Sequence, residues 1–319
     1  MIYRQVEDTG VRISAIALGG HEYLADGRSR GFNEDRAEAI RPGYTGVGYG
    51  GEKRRALLTT AFAHGVNFFD VTIDPEKEAL GRNLKEITPP YEVYVQTRPE
   101  GMGYGYDENN RKLATYDLLK AEVERCLTLL QRDHIDFLNF PFLQPALDAD
   151  PEYLDKIRYN VTALKKAGLI RFATADNFSG EGTYLAQVGA ECFDALAMNF
   201  NFADCGARRA VLPGAHQKGM AVITREVFLK GRLFRMGEEM GLLDRDLLAR
   251  VSLKWNVSVP EVTTTLVGAD HTAQFLNSLS ALDDLKLSDE EAEVLSQLQA
   301  SETCRTFSGE RERRFYNQD

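Results

Sequence analysis

Five positions in this 319-residue chain combine chemically useful side chains with a recurring placement, each standing at the end of a short apolar run. They are His21 after Gly19-Gly20, Asp70 after Phe68-Phe69, Arg98 after Gln96-Thr97, Asp176 after Ala173-Thr174-Ala175, and Glu226 after Thr224-Arg225. An imidazole with an ordinary pKa near 6.5 suits proton transfer at neutral pH, a carboxylate serves as acid or base according to its burial, and a guanidinium orients an anion. Asp74, Glu100 and Arg225 extend the same pattern. Taken singly, each has a plain structural reading as a wall residue or half of an ion pair, since buried charge is costly unless paired. Taken together, five runs ending in charge point to a polar ligand. No His/Cys/Asp/Glu set has metal-ligand spacing and no G-x-S-x-G elbow occurs, so metallohydrolase and serine-hydrolase chemistry are not expected.

The elements that must carry these residues alternate between β-branched or aromatic runs and longer amphipathic ones. Strands are expected at 15–18, 66–69, 91–95, 135–138, 170–173, 195–198, 221–223 and 264–267. Helical segments lie between them, as at 116–130, where Leu119, Val123, Cys126, Leu127 and Leu130 recur at helical spacing. Gly65, Gly168 and Gly219 each stand just before a strand, where a helix closes on a residue of positive φ. Eight βα units predict an α/β fold, a (β/α)8 TIM barrel in one domain over residues 1–319, its N-terminal end plugged by a β-hairpin at 3–13 that turns at Thr9-Gly10. Two long loops, 24–51 and 101–113, follow the first and third strands and lie on the C-terminal face, where barrels build their sites. The glycine-rich stretch 46–51 only partly has the strand-to-helix context of a phosphate cradle. The tail after Leu298 either folds back over the barrel mouth or trails in solvent.

Composition limits the partners. Lys plus Arg number 38 against 48 Asp plus Glu, a formal charge of -10 that disfavours nucleic acid. Four scattered cysteines, Cys126, Cys192, Cys205 and Cys304, without a C-x-x-C pair suggest neither zinc nor a disulfide framework and fit a reducing cytoplasm. The N-terminus lacks an apolar leader, and no stretch reaches the roughly 18 apolar residues of a membrane span. The expected partner is a small polar molecule; the residues do not specify an oligomeric state.

Four stretches resemble aldo-keto reductase signatures: Gly65-Val66-Asn67-Phe68-Phe69-Asp70; Cys126-Leu127-Thr128-Leu129-Leu130 leading into His134-Ile135-Asp136-Phe137-Leu138; Gly168-Leu169-Ile170-Arg171-Phe172-Ala173 ending in Asp176-Asn177-Phe178; and Val267-Gly268-Ala269 followed by Gln274. They fall in family order across nearly the whole chain. The resemblance implies the barrel, an NADP(H) cofactor and carbonyl reduction by a tetrad of Asp, Tyr, Lys and His. Asp70 matches the Asp, but Pro75 stands at the tyrosine's place, Arg98 at the lysine's and the Asn139-Phe140-Pro141 stretch at the histidine's. Arginine keeps the charge but is not a chemical equivalent of lysine, although a pair with Asp70 remains open to it. At the implied nicotinamide site, Asn177 and the aromatic Phe200 persist, Asp176 and Ala197 replace other residues, and Lys230 and Arg232 are the groups available to a pyrophosphate. The expectation is an enzyme of this fold with altered chemistry: proton transfer of lyase, dehydratase or isomerase type on a small polar, sugar-like carbonyl or hydroxyl compound. His21, Asp70, Arg98, Asp176 and Glu226 would carry it. The alternatives are a non-catalytic binding or regulatory barrel, and an unconventional NADP(H)-dependent oxidoreductase in which Tyr44 or Tyr49 of the first long loop replaces the missing proton donor.

Overall fold

The computed structural model describes residues 1–6, 9–33 and 36–316. Strands β1 (Tyr3–Val6) and β2 (Val11–Ser14) pair antiparallel as the expected hairpin. The strands β3 (Ile16–Gly19), β4 (Phe68–Asp70), β5 (Tyr94–Thr97), β6 (Ile135–Pro141), β7 (Ile170–Asp176), β8 (Ala195–Asn199), β9 (Ala221–Arg225) and β10 (Thr264–Val267) then close a parallel barrel in chain order, with β10 pairing back onto β3. Every expected strand is present. All but β10 run one to three residues further than the apolar pattern indicates, because the ladder continues into mouth residues such as Asp70, Thr97, Asp176, Asn199 and Arg225. The start of the 66–69 run belongs instead to a helix cap: the Val66 N–H donates to the Ala61 carbonyl (2.9 Å) around Gly65 at φ +81°. The Leu169 and Met220 amides repeat this closure around Gly168 and Gly219, so three βα units share one joint.

The barrel interior is layered. At its N-terminal end Val6, Val11 and Ile13 of the hairpin pack against Phe68, Phe137 and Phe172, closing that end with apolar side chains. The opposite end is polar and roofed by the two long loops. The first carries the short helices Arg30–Asn33 and Arg36–Ala39; the second carries two 3-10 turns and the helix Arg111–Ala114. Asn110, almost fully buried, pins the second loop by donating to the carbonyls of Tyr104 (2.7 Å) and Met102 (3.2 Å) while accepting from the Leu143 amide (3.0 Å). The tail does fold back: the helix Glu302–Phe315 docks through Arg311 Nε on Asp204 (2.6 Å), with Phe307 beneath the Arg232 guanidinium (5.0 Å). No helix is long and apolar enough to cross a membrane among the described residues.

Candidate active site at the barrel mouth

His21 leaves β3 two residues beyond Gly19, which lies in register with Asp70 on β4. Gly20 makes this possible, since a Cβ there would stand 2.6 Å from the Asp70 carbonyl oxygen. The imidazole Nδ1 hydrogen-bonds Glu76 Oε1 at 2.7 Å, and Glu76 Oε2 in turn accepts from the Thr72 amide (2.9 Å) and hydroxyl (3.0 Å). Glu76, the third residue of the helix Asp74–Ile87, is therefore both a helix-capping group and the orienter of His21. Burial would raise the Glu76 carboxyl, but His21 and the Thr72 donors outweigh it and hold it down at about 2. Burial likewise works to lower His21, and the charge and hydrogen bond of Glu76, helped by Asp70 and opposed by Arg98, raise it above its ordinary value. Asp70 Oδ1 accepts from Gln96 Nε2 (2.7 Å) of the paired strand β5, and burial lifts its carboxyl above the usual carboxylate range. The imidazole is about one-third exposed, with Phe32 of the first loop edge-on at 5.4 Å.

A second cluster spans the far side. Asp176, fully buried at the end of β7, receives Arg225 of β9 through both terminal nitrogens (2.9 and 2.6 Å) and the Tyr104 hydroxyl at 2.6 Å. Arg225 Nε donates to Asn199 (2.8 Å), and its guanidinium lies over the Phe178 ring at 4.5 Å. Tyr104 reaches inward from the second loop at a φ of 49° and packs on Phe178 (4.8 Å). Arg98 sits over the Tyr104 ring (5.2 Å) with Phe32 on another side (5.9 Å). Its open pairing with Asp70 is not formed among the described residues; Gln96 holds Asp70 instead.

The remaining sequence candidates separate from these clusters. Asp74 and Glu100 are not at the mouth but between the helices Asp74–Ile87 and Tyr116–Leu130. There Asp74 meets Lys77 (2.9 Å) and Arg125, and Lys77 reaches Glu100 (3.7 Å), all but Arg125 fully or nearly fully buried. Glu226 faces exposed Lys230 at 3.0 Å, an arrangement that engages both a proposed acid/base and a proposed pyrophosphate ligand. Arg232 is taken by Phe307. Asn177 spends its amide on Gln187 (3.1 Å) and its carbonyl on the Ser179 and Gly180 amides, opening the helix Glu181–Gly189. Phe200 is fully enclosed and lies against Trp255 (5.4 Å), so it offers no face to a ring in the mouth. Gln274 accepts from the Asp270 amide (2.9 Å) on the loop after β10. Of the two loop tyrosines considered as substitute donors, Tyr49 is buried beneath its own loop under Arg30 (4.2 Å), and among the described residues the side chains of His21 and Asp70 hydrogen-bond Glu76 and Gln96, not Tyr44. The groups that nicotinamide would need are thus committed to internal partners, and the residues as placed do not fit it.

Sequence reading missed Glu76, Gln96, Tyr104, Phe32 and Phe178. Glu76 carried a usable signal, a Thr72-x-x-x-Glu76 capping pattern at a helix start; Tyr104 carried none, because its reach depends on the path of a loop.

This is an α/β barrel with its polar side chains gathered on the strand C-termini, the layout of a TIM-barrel enzyme site. Residues 46–246 match the Aldo/keto reductase family, and the chain belongs to that family. Among solved structures it is similar to a glycerol dehydrogenase from Gluconobacter oxydans, at a TM-score of 0.66 and 18% identity over 93% of this chain and 95% of that one.

Proposed function

We propose that this barrel catalyses acid–base proton transfer on a small hydroxylated carbonyl compound, without hydride chemistry. The observation that carries this reading is the His21–Glu76 pair: a raised imidazole, anchored through Nδ1, whose Nε2 makes no protein hydrogen bond among the described residues. Asp70, electrostatically coupled to His21 and held by one amide, is the complementary base. Two neighbouring titratable groups, an imidazolium that keeps its proton and a carboxylate that ionises first, are the pattern of an acid/base pair. In the proposed step, Asp70 removes the proton from the carbon next to the carbonyl while His21 protonates the carbonyl oxygen, giving an enediol. Asp70 then returns its proton to the former carbonyl carbon as the adjacent hydroxyl gives its own back to His21, which completes an isomerisation; alternatively Asp70 protonates the departing β-hydroxyl as His21 takes the enediol proton, which completes a dehydration. Glu76 steadies the imidazolium and Arg98 orients the substrate. The name of the similar dehydrogenase, which acts on a polyhydroxy compound, supports substrates of that kind. Family membership favours a second reading, NADP(H)-dependent oxidoreduction, but this requires Asn177, Phe200 and the Asp176–Arg225 pair to rearrange.

The test is exchange of the α-hydrogen of glyceraldehyde, dihydroxyacetone, four-carbon ketoses and the corresponding hydroxy and keto acids in D2O, followed by proton NMR with no nicotinamide present. Enzyme-dependent deuterium incorporation that falls 10²-fold or more in His21→Gln and Asp70→Asn is expected. Turnover that appears only on adding NADPH, with no exchange in its absence, would replace this reading with the redox one.

A further inference from the structure

Arg98 is a buried cation without an ion pair. Only 9% of it is exposed, its Nη2 has no hydrogen-bond partner, and no carboxylate among the described residues lies within 4.0 Å of it. Its neighbours are accounted for. Glu100, two residues on, lies 3.7 Å from Lys77 and acts on Arg98 only from beyond ion-pair distance; Asp70 is held by Gln96; Asp176 is taken by Arg225 and Tyr104; Glu76 is taken by His21. What surrounds the guanidinium instead is aromatic, with Tyr104 and Phe32 against it. A buried cation with no carboxylate at ion-pair distance, offset by Tyr104 and the more distant Glu100, keeps its free Nη2 available to the anion of a ligand. The planar guanidinium fork matches a carboxylate, and Phe32 contacts both Arg98 and His21, which places the fork beside the acid/base pair.

We infer that Arg98 is an anion anchor and that the substrate of this site carries a carboxylate, making it a hydroxy or keto acid of the sugar-acid type rather than a neutral sugar. The charge count of the mouth favours a monoanion. His21, Arg98 and Arg225 stand against Asp70, Glu76 and Asp176; two of the cations are already paired, and a phosphate dianion would bring its second charge among three carboxylates. The aromatic walls suit a compact carbon chain held by its acid end. This inference rests on the barrel mouth being the reaction site proposed above and narrows what enters it.

Calorimetric titration of the whole chain with glycerate, gluconate and glucuronate, beside glycerol, glucose and inorganic phosphate, tests it directly. The acids are expected to bind at least tenfold more tightly than their neutral counterparts, with Arg98→Met losing that difference and Arg98→Lys retaining part of it. Because Arg98→Met breaks no ion pair, it is further expected to leave the ligand-free melting temperature essentially unchanged. Equal binding of acids and neutral compounds, or acid binding that survives in Arg98→Met, overturns the inference. So does a lowered melting temperature in a variant whose parent binds no acid, and preference for phosphate overturns the carboxylate assignment. Acid binding without any deuterium exchange would refute the proposed reaction while leaving the anchor intact, whereas exchange on neutral compounds alone would do the reverse.

Discussion

The His21–Glu76 contact makes the mouth responsive to pH in a defined window. Glu76 is lowered from an ordinary 4.5 to about 2, so its share of the stabilisation is fully present above pH 4.5 and is lost as pH falls toward 2. His21 is raised above 6.5, so the imidazolium's share is fully present below 6.5 and is lost as pH rises through its folded value. These are two views of one interaction, at full strength between about pH 4.5 and 6.5. Removing it in His21→Gln should lower stability by about 1.5 kcal/mol, the low end for a charge-assisted hydrogen bond because the imidazole is partly exposed. Urea unfolding of wild type and variant across pH 3 to 9 should show the difference shrinking on both sides of that window; a difference independent of pH would mean the contact is not ionic. Activity has its own signature. With Asp70 working as the ionised base and His21 as the protonated acid, kcat/KM should be bell-shaped, with its acid limb above the ordinary aspartate range and its alkaline limb above pH 6.5.

Among the elements, the ends of the strands matter most. Gly20 lies where β3 hands over to the first loop, and a Cβ there would stand only 2.6 Å from the Asp70 carbonyl oxygen and 2.7 Å from Val71 Cγ1. Gly20→Ala should therefore cost about 1–3 kcal/mol in thermal unfolding and misplace His21, lowering activity more than stability alone would explain. An alanine that is neutral on both counts would show the β3–β4 junction to be looser than described. The same ends explain what the sequence could and could not disclose. β-branched runs such as Ile135–Leu138 and the recurring cap glycines Gly65, Gly168 and Gly219 made the eight units legible, because backbone periodicity is a local property. Asp70, Arg98 and Asp176 were legible as site candidates because each follows a strand. Tyr104 was not, since its delivery to Asp176 depends on Asn110 pinning a loop six residues away. Nor could spacing show that Asn177 and Phe200 turn inward to Gln187 and Trp255.

At the scale of the whole molecule, this aldo/keto reductase barrel carries two separate charge networks. Asp74, Lys77, Glu100 and Arg125 form a buried network joining two outer helices. Lys77→Met should cost about 3 kcal/mol, since it leaves Glu100 buried without its cation and Asp74 with Arg125 alone; a loss under 1 kcal/mol by chemical denaturation would show that Glu100 is protonated already. At the mouth, the bidentate Arg225–Asp176 pair bridges β9 and β7 where the family's cofactor would need an open amide-binding surface. The most direct test of the account is calorimetric titration of the purified chain with NADPH and NADH. It predicts no saturable binding up to millimolar cofactor, with proton exchange proceeding in its absence. Tight, stoichiometric binding would mean that the Asp176–Arg225 bridge opens and that hydride transfer, not proton transfer, is the chemistry of this barrel.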